Sequence, residues 1–330
     1  MADKQWRSCR FMINGLAHKV QYNQWTIDKL FVPFLQRMTR KQEALNKRFV
    51  ILMAAPPGVG KSTLAMLMEK LSQTESGIAP VQAIGLDGFH YHASYLKEHY
   101  LEKDGQHILL NSIKGAPETF DLAKLIGKLS LLRSENVRWP IYDRTIHDVV
   151  DDVVTVKKPL VILEGNWLLL GNGGWQSLRN YADYTLMISA SPADLKERLI
   201  QRKMKGGKTR GEAERFYEKS DRVNVARMLK ESWPADETWQ MLPDGDYQLR
   251  GRTNKVQMVD REALWKKTEV NLGDSALLNS LNRRMSQRSP EDKAAGKGAY
   301  EDGYVEGLLA ARVEIIRKLH EGGMDREQLR

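Results

Sequence analysis

The sequence predicts a three-layer α/β fold with a parallel central sheet, a helical lid and a helical C-terminal extension. Two observations carry that prediction. Four short apolar runs, Phe49–Ala55, Val81–Leu86, Pro159–Leu163 and Tyr184–Ser189, alternate with segments of helical period, as strands buried on both faces of a parallel sheet do. The first three end in residues that do not belong in a core: glycines and a lysine after the first, Asp87 after the second, Glu164 after the third. In an open parallel sheet the carboxyl ends of the strands border one crevice, so these polar ends meet there.

Taken in order, Arg10–Tyr22 reads as two short strands around Asn14-Gly15, a type I′ hairpin signal, packing as a small flap. From Asn23 or Trp25 to about Leu45 the spacing of Ile27, Leu30, Phe31, Phe34, Leu35 and Met38 predicts a helix, and Pro33 inside it predicts a kink or two segments. The first buried strand then runs into Ala55-Pro56-Pro57-Gly58-Val59-Gly60-Lys61-Ser62-Thr63. This is G-x-x-x-x-G-K-[ST] with Ala55 in place of the first glycine. Glycines let backbone N–H groups converge on phosphate oxygens, the following helix adds its positive end, and a lysine reaches the terminal phosphates. Pro57, Gly58, Val59, Gly60, Lys61, Ser62 and Thr63 are therefore the expected nucleotide contacts, with the Ser62 hydroxyl on Mg2+. A plain glycine-rich turn is the alternative. The strand before and the amphipathic helix after it (Leu64, Leu67, Met68, Leu71) are the context that the phosphate reading requires.

The second strand ends at Asp87, placed to face the phosphate loop; the alternative is that Asp87 caps the next helix. Lys114–Asp121 is a turn-rich connection into a helix from Asp121, its N-cap, to about Arg133. Trp139–Asp148 leads into a β-rich stretch reaching Val156. Glu164 ends the next buried strand as an acid suited to orienting Mg2+ or its waters. After Tyr184–Ser189, a helix opens at Ser191-Pro192 and runs to about Met204. It carries Arg198 and Arg202 four residues apart, on one face. A basic hinge, Lys205–Gly211, and a second charged helix complete a lid whose cations close over phosphates; a solvated charged hairpin is the alternative.

The expected organisation is residues 1–47 as N-terminal hairpin and helix, 48–250 as the main domain, 251–299 as a polar linker and 300–330 as a helical tail for docking or self-association. The net charge of +9 sits mostly in the first fifty residues, with a second basic stretch over 196–230 beside the phosphate loop. No aromatic-plus-basic signature accompanies it, so no nucleic-acid partner is expected. Cys9 is the sole cysteine, which excludes an internal disulfide and a cysteine-based zinc site. With no secretory signal pattern and no run of about 18 apolar residues, a cytoplasmic protein without a membrane partner is expected. His90, His92, His99 and His107 lack an H-E-x-x-H spacing. His90 reads as a substrate contact or a polar helix-start residue, and Trp167 and Trp175 as acceptor-pocket walls or core.

In this order the motifs resemble the P-loop kinases that group uridine kinase, phosphoribulokinase and type I pantothenate kinase, and most of all a bacterial nucleoside- or nucleotide-kinase-like branch. The matching pieces are Ala55–Ser62, Leu86–His90, Lys114–Asp121, Pro140–Asp148, Leu163–Gly165 and the Arg198/Arg202 lid, spanning roughly residues 48 to 250. The resemblance implies a P-loop NTPase three-layer fold and a kinase using ATP and Mg2+ to phosphorylate a hydroxyl of a small metabolite, such as a nucleoside, a sugar or pantothenate. It further implies that Asp87 accepts the hydroxyl proton, Lys61 and Ser62 contact phosphate and magnesium, Glu164 stands near the metal, and Arg198 and Arg202 cover the transferring group. Acceptor contacts are implied for His90, Lys114, Glu118, Tyr142, Arg144, His147 and Asn166. The competing expectation is a P-loop ATPase or nucleotide-binding regulator that signals to a partner through its C-terminal helix.

Overall fold

The structure, a computed structural model, describes residues 4–103 and 105–253. The expected linker, apart from its first three residues, and the tail at 300–330 lie outside the described residues. Strands β1 (Trp6–Ile13) and β2 (Leu16–Asn23) form the predicted hairpin about Asn14-Gly15. Asn23 caps α1 (Gln24–Thr26) by accepting from the Trp25 N–H. The helical path continues through a π-helical turn, Ile27–Phe31, into α2 (Val32–Leu45). Pro33 thus produces no break: the chain widens by one residue just ahead of it, with the Val32 N–H bonded to the Ile27 carbonyl, one of the few ways a helix absorbs a proline.

Strand β3 (Phe49–Ala54), buried at every residue, feeds the glycine loop and α3 (Lys61–Thr74). After β4 (Val81–Gly85) come a short 3-10 turn, Asp87–Phe89, and α4 (Ala93–Glu98). The β5 (Tyr100–Lys103) and β6 (Gln106–Leu109) hairpin was not foreseen, although an Asp-Gly pair at 104–105 signals it. Helix α5 (Leu122–Leu131) has Asp121 as its N-cap, accepting from the Lys124 N–H. The β7 (Val137–Asp143) and β8 (Asp148–Val156) hairpin precedes β9 (Leu160–Gly165) and β10 (Tyr184–Ser189). Helix α6 (Pro192–Lys205) is capped by Ser191, α7 (Arg210–Phe216) by a Thr209/Glu212 capping box, and α8 (Arg222–Glu231) follows a π-helical turn, Tyr217–Asp221. Strands β11 (Glu237–Met241) and β12 (Tyr247–Arg252) close the body, the last running two residues past the expected boundary at 250.

The central sheet has the order β12-β11-β10-β3-β9-β4. It is parallel from β11 to β4, and only edge strand β12 is antiparallel. The β3 tip therefore lies beside β9, with Met53 opposite Glu164, and β9 lies beside β4, with Glu164 opposite Gly85. Phe31 and Phe34 of the N-terminal helical segment pack on Trp239 of β11 at 5.3 and 5.1 Å between ring centroids. Buried Asp246 accepts from Asn23 Nδ2 (2.9 Å), Thr26 Oγ1 (2.7 Å) and Lys4 Nζ (2.8 Å). The N-terminal segment is thereby part of one compact unit ending at Thr253. Among the described residues no helix is long and apolar enough to cross a membrane.

Candidate active site

The loop between β3 and α3 has the geometry that an anion cradle needs. Gly58 and Gly60 both sit at φ +88°, a left-handed conformation that a side chain would strain, and they turn the chain onto the end of α3. No side chain caps that helix. A helix terminus left open in this way favours a negative ligand. Tyr247 braces the loop by donating to the Val59 carbonyl (2.8 Å), and Arg198 does so by donating from Nε to the Gly58 carbonyl (2.8 Å). Tyr22 stacks behind Tyr247 at 6.4 Å.

Two acids flank the lysine that ends the loop. Ser62 donates to Glu164 Oε1 at 2.6 Å. Burial pushes the Glu164 carboxyl up, with Asp87 adding to the shift and Lys61 opposing it. At Asp87 burial also pushes up, but the charges of His90, Lys61, Arg144 and Arg202 more than reverse it and hold this carboxyl below the ordinary range. The two neighbouring acids are thus driven in opposite directions, Asp87 down and Glu164 up. Asp87 caps neither the 3-10 turn nor α4, so the capping alternative is not what this backbone uses. A hydroxyl and a carboxylate beside an open helix terminus are hard oxygen donors of the kind Mg2+ takes, with its remaining positions left to phosphate and water.

Opposite the loop, His90 Nδ1 lies 2.9 Å from the Asp87 carbonyl oxygen, and its ring packs on Phe120 at 3.8 Å. Burial lowers the His90 pKa, Lys114 and Arg144 add to this, and Asp87 opposes it. Lys114 Nζ donates to the Tyr142 hydroxyl (3.0 Å) and the His147 carbonyl (3.4 Å). The Arg144 N–H donates to Asn14 of the N-terminal hairpin. Lys114 and Tyr142 thus share one wall with His90, whose ring lies 5.7 Å from that of Tyr142. Glu118 does not join them: it is ion-paired to Arg227 of α8 at 2.7 Å. Asn166 lies just beyond β9, its buried Oδ1 without a hydrogen-bond partner among the described residues. Trp167 and Trp175 are core residues, the first donating to the Gly115 carbonyl (3.0 Å).

Gly88 joins the two halves of this wall. A β-carbon there would lie 2.3 Å from the Pro140 carbonyl oxygen of β7, so Gly88→Ala has to push apart the backbones that carry Asp87 and Tyr142. The expected loss is about 1 to 3 kcal/mol of stability, read as a lowered Tm, together with reduced turnover.

Of the two lid arginines, Arg198 lies over the glycine loop, while Arg202 is among the charges acting on Asp87. Sequence reasoning missed Tyr247, Asp246 and buried Asp221, which faces Arg202 and Lys203 beneath the lid. Their partners are too distant in sequence to leave a local pattern; only the unusual polarity of Asp221 inside a helical segment could have drawn notice.

A glycine loop opening onto an uncapped helix, with a serine-bonded acid on the adjacent strand, defines the P-loop NTPase class. The chain is 40% identical to the uncharacterised protein YggC of Escherichia coli (strain K12), over 71% of this chain and 96% of that protein. It is 29% identical to the Schizosaccharomyces pombe protein named "Putative uridine kinase C227.14", over 60% of this chain and 85% of that one. Among solved structures, the "putative fructose transport system kinase from Silicibacter sp. TM1040" superposes with a TM-score of 0.53 at 27% identity, covering 61% of this chain and 98% of that one. Pantothenate kinases also match, and the chain spans about half their length. No protein-family model matches the chain. The chain belongs to the P-loop kinase superfamily that includes uridine kinase and type I pantothenate kinase.

Proposed function

We propose that this protein transfers the γ-phosphoryl group of ATP, with Mg2+, to a hydroxyl of a small metabolite. One observation carries the reading: an ionised carboxylate, Asp87, stands across the crevice from an open phosphate cradle and is under the influence of its lysine. Phosphoryl transfer asks the protein mainly for positioning and charge stabilisation. Lys61 and the N–H groups of the α3 terminus would hold the phosphates, and Arg198 and Arg202 would cover them from the lid. Asp87 would orient the acceptor hydroxyl and take its proton as the new bond forms. Its lowered pKa makes it a weak base, which suits a loose transition state in which the proton leaves late. Ser62 and Glu164 would hold the magnesium, which supplies neutralisation of phosphate charge.

The test is ADP release from ATP and Mg2+ measured across a panel of nucleosides, sugars and hydroxy acids. Release that depends on one class of alcohol is the expected result; steady hydrolysis indifferent to every alcohol would replace the kinase reading with an ATPase.

A further inference from the structure

The N-terminal hairpin has no task in the kinase reading, yet it touches both the phosphate-loop side and the acceptor side of the fold. Its root is packed: Cys9, Phe11 and Tyr22 are buried, β1 lies against α3, and Tyr22 meets Phe31 edge-on at 6.1 Å between ring centroids. Tyr22 also stacks on Tyr247, the residue that braces Val59. The tip is built differently. Met12 and Leu16 are exposed, and a cavity of about 210 Å3 lies between Met12 and Ile13 on one side and Met66, Ile141 and Val154 on the other. Side chains over a gap have few packing partners, so the tip is held by what it meets at its end.

What it meets is the turn between β7 and β8. The Asn14 carbonyl accepts from the Arg144 N–H at 3.2 Å. A β-carbon on Gly15 would lie 3.1 Å from Thr145 Cγ2 and 3.3 Å from Asp143 Oδ1, so the two turns approach as closely as a glycine permits. Gly15 sits at φ +79°, the left-handed conformation that the type I′ turn requires. The turn it meets is stiff, because the Thr145 N–H and hydroxyl both donate to Asp143 Oδ1, at 2.8 and 2.6 Å. A shift of the tip is therefore passed to that turn as a whole, with Tyr142 and His147 at its two ends and Lys114 bonded to both of them.

We propose that the hairpin tip positions the acceptor side of the active site, Asn14 and Gly15 acting as positioning residues that hold the β7–β8 turn at a fixed distance from the phosphate loop. This rests on the kinase reading above. The packed root is the fixed end, and the tip acts through the turn and not by contact with either substrate. Displacing the turn misplaces the wall that receives the acceptor and weakens its capture. The glycine loop keeps its own brace, so nucleotide binding is spared.

The experiment compares the full chain with Gly15→Ala and with Gly15→Ala combined with Thr145→Ser. The added β-carbon pushes on Thr145 Cγ2; the serine removes that methyl and keeps the hydroxyl for Asp143. The acceptor probe is whichever of uridine, fructose and pantothenate gives the largest acceptor-dependent ADP release. Gly15→Ala is expected to raise the acceptor KM about tenfold to a hundredfold, with kcat and the nucleotide Kd within about twofold of the parent. The double variant should recover most of the KM but not the lowered Tm, because the backbone strain at residue 15 remains. Nucleotide titration shows that both variants fold. An acceptor KM that does not move in Gly15→Ala overturns the inference and leaves the kinase reading standing. So does a joint shift of KM, kcat and nucleotide Kd, which would mean general loosening, and so does a double variant that recovers no KM. No acceptor-dependent release from any of the three alcohols overturns both.

Discussion

Lys61→Ala is expected to remove both nucleotide affinity and turnover. Lys61 begins α3 at the point where the glycine loop delivers the chain, and its ammonium acts on both crevice acids. Losing a charge-assisted contact to phosphate should raise the nucleotide Kd about tenfold to a hundredfold. Losing the same charge where negative charge develops in the transition state should cost a further factor of about a hundred to a thousand in kcat. Nucleotide titration and single-turnover kinetics separate these effects, and a variant with wild-type affinity would mean that the cradle works through backbone groups alone.

Asp87→Asn should do the opposite on the binding side. Nucleotide affinity stays near that of the parent protein, and turnover falls by about a hundredfold or more, because an amide can orient a hydroxyl but cannot take its proton. The pH dependence carries a second check. A carboxyl held below the ordinary range stays ionised as pH falls, and binds its proton only at lower pH than a free aspartate does. By linkage, the stability that Asp87 contributes is complete above its unfolded-state pKa and is lost only as pH drops through the lower folded value. Turnover should therefore show no acid limb from Asp87 between pH 5 and pH 8 (about the range open to assay). An acid limb near pH 6 that vanishes in Asp87→Asn would show instead that this carboxyl titrates as a tuned general acid or base.

Most of what places the site could be read from the chain. Strands β3, β4, β9 and β10 were legible because each is an apolar run with an abrupt polar end, and that abruptness also marked Lys61, Asp87 and Glu164 as members of one crevice. Strands β11 and β12 were not: Glu237-Thr-Trp-Gln-Met241 mixes polar and apolar residues, and Tyr247–Arg252 is an edge strand, exposed over most of its length. The turn at Lys114–Asp121 was legible, but the partner of Glu118 was not, since Arg227 lies 109 residues further on. Pro33 predicted an interruption, and a widened turn absorbed it, because which of a proline's remedies a helix adopts depends on packing around it and not on local sequence. The four histidines proved to be dispersed: His92 stands near Asp148 and Asp151, His107 near Glu102, and His99 on Tyr95.

The clasp at Asp246 and Tyr247 bears on how such a protein is made. Its halves are separated by more than 200 residues, as in the Asn23–Asp246 bond, whose partners are 223 positions apart, and the next residue, Tyr247, bonds to the Val59 carbonyl. Contacts of that span are slow to form because a long loop must close before they are rewarded. A ribosome must therefore deliver nearly the whole body before the loop acquires its brace, and a fragment halted ahead of Tyr247 would leave the ribosome with its nucleotide pocket unsupported.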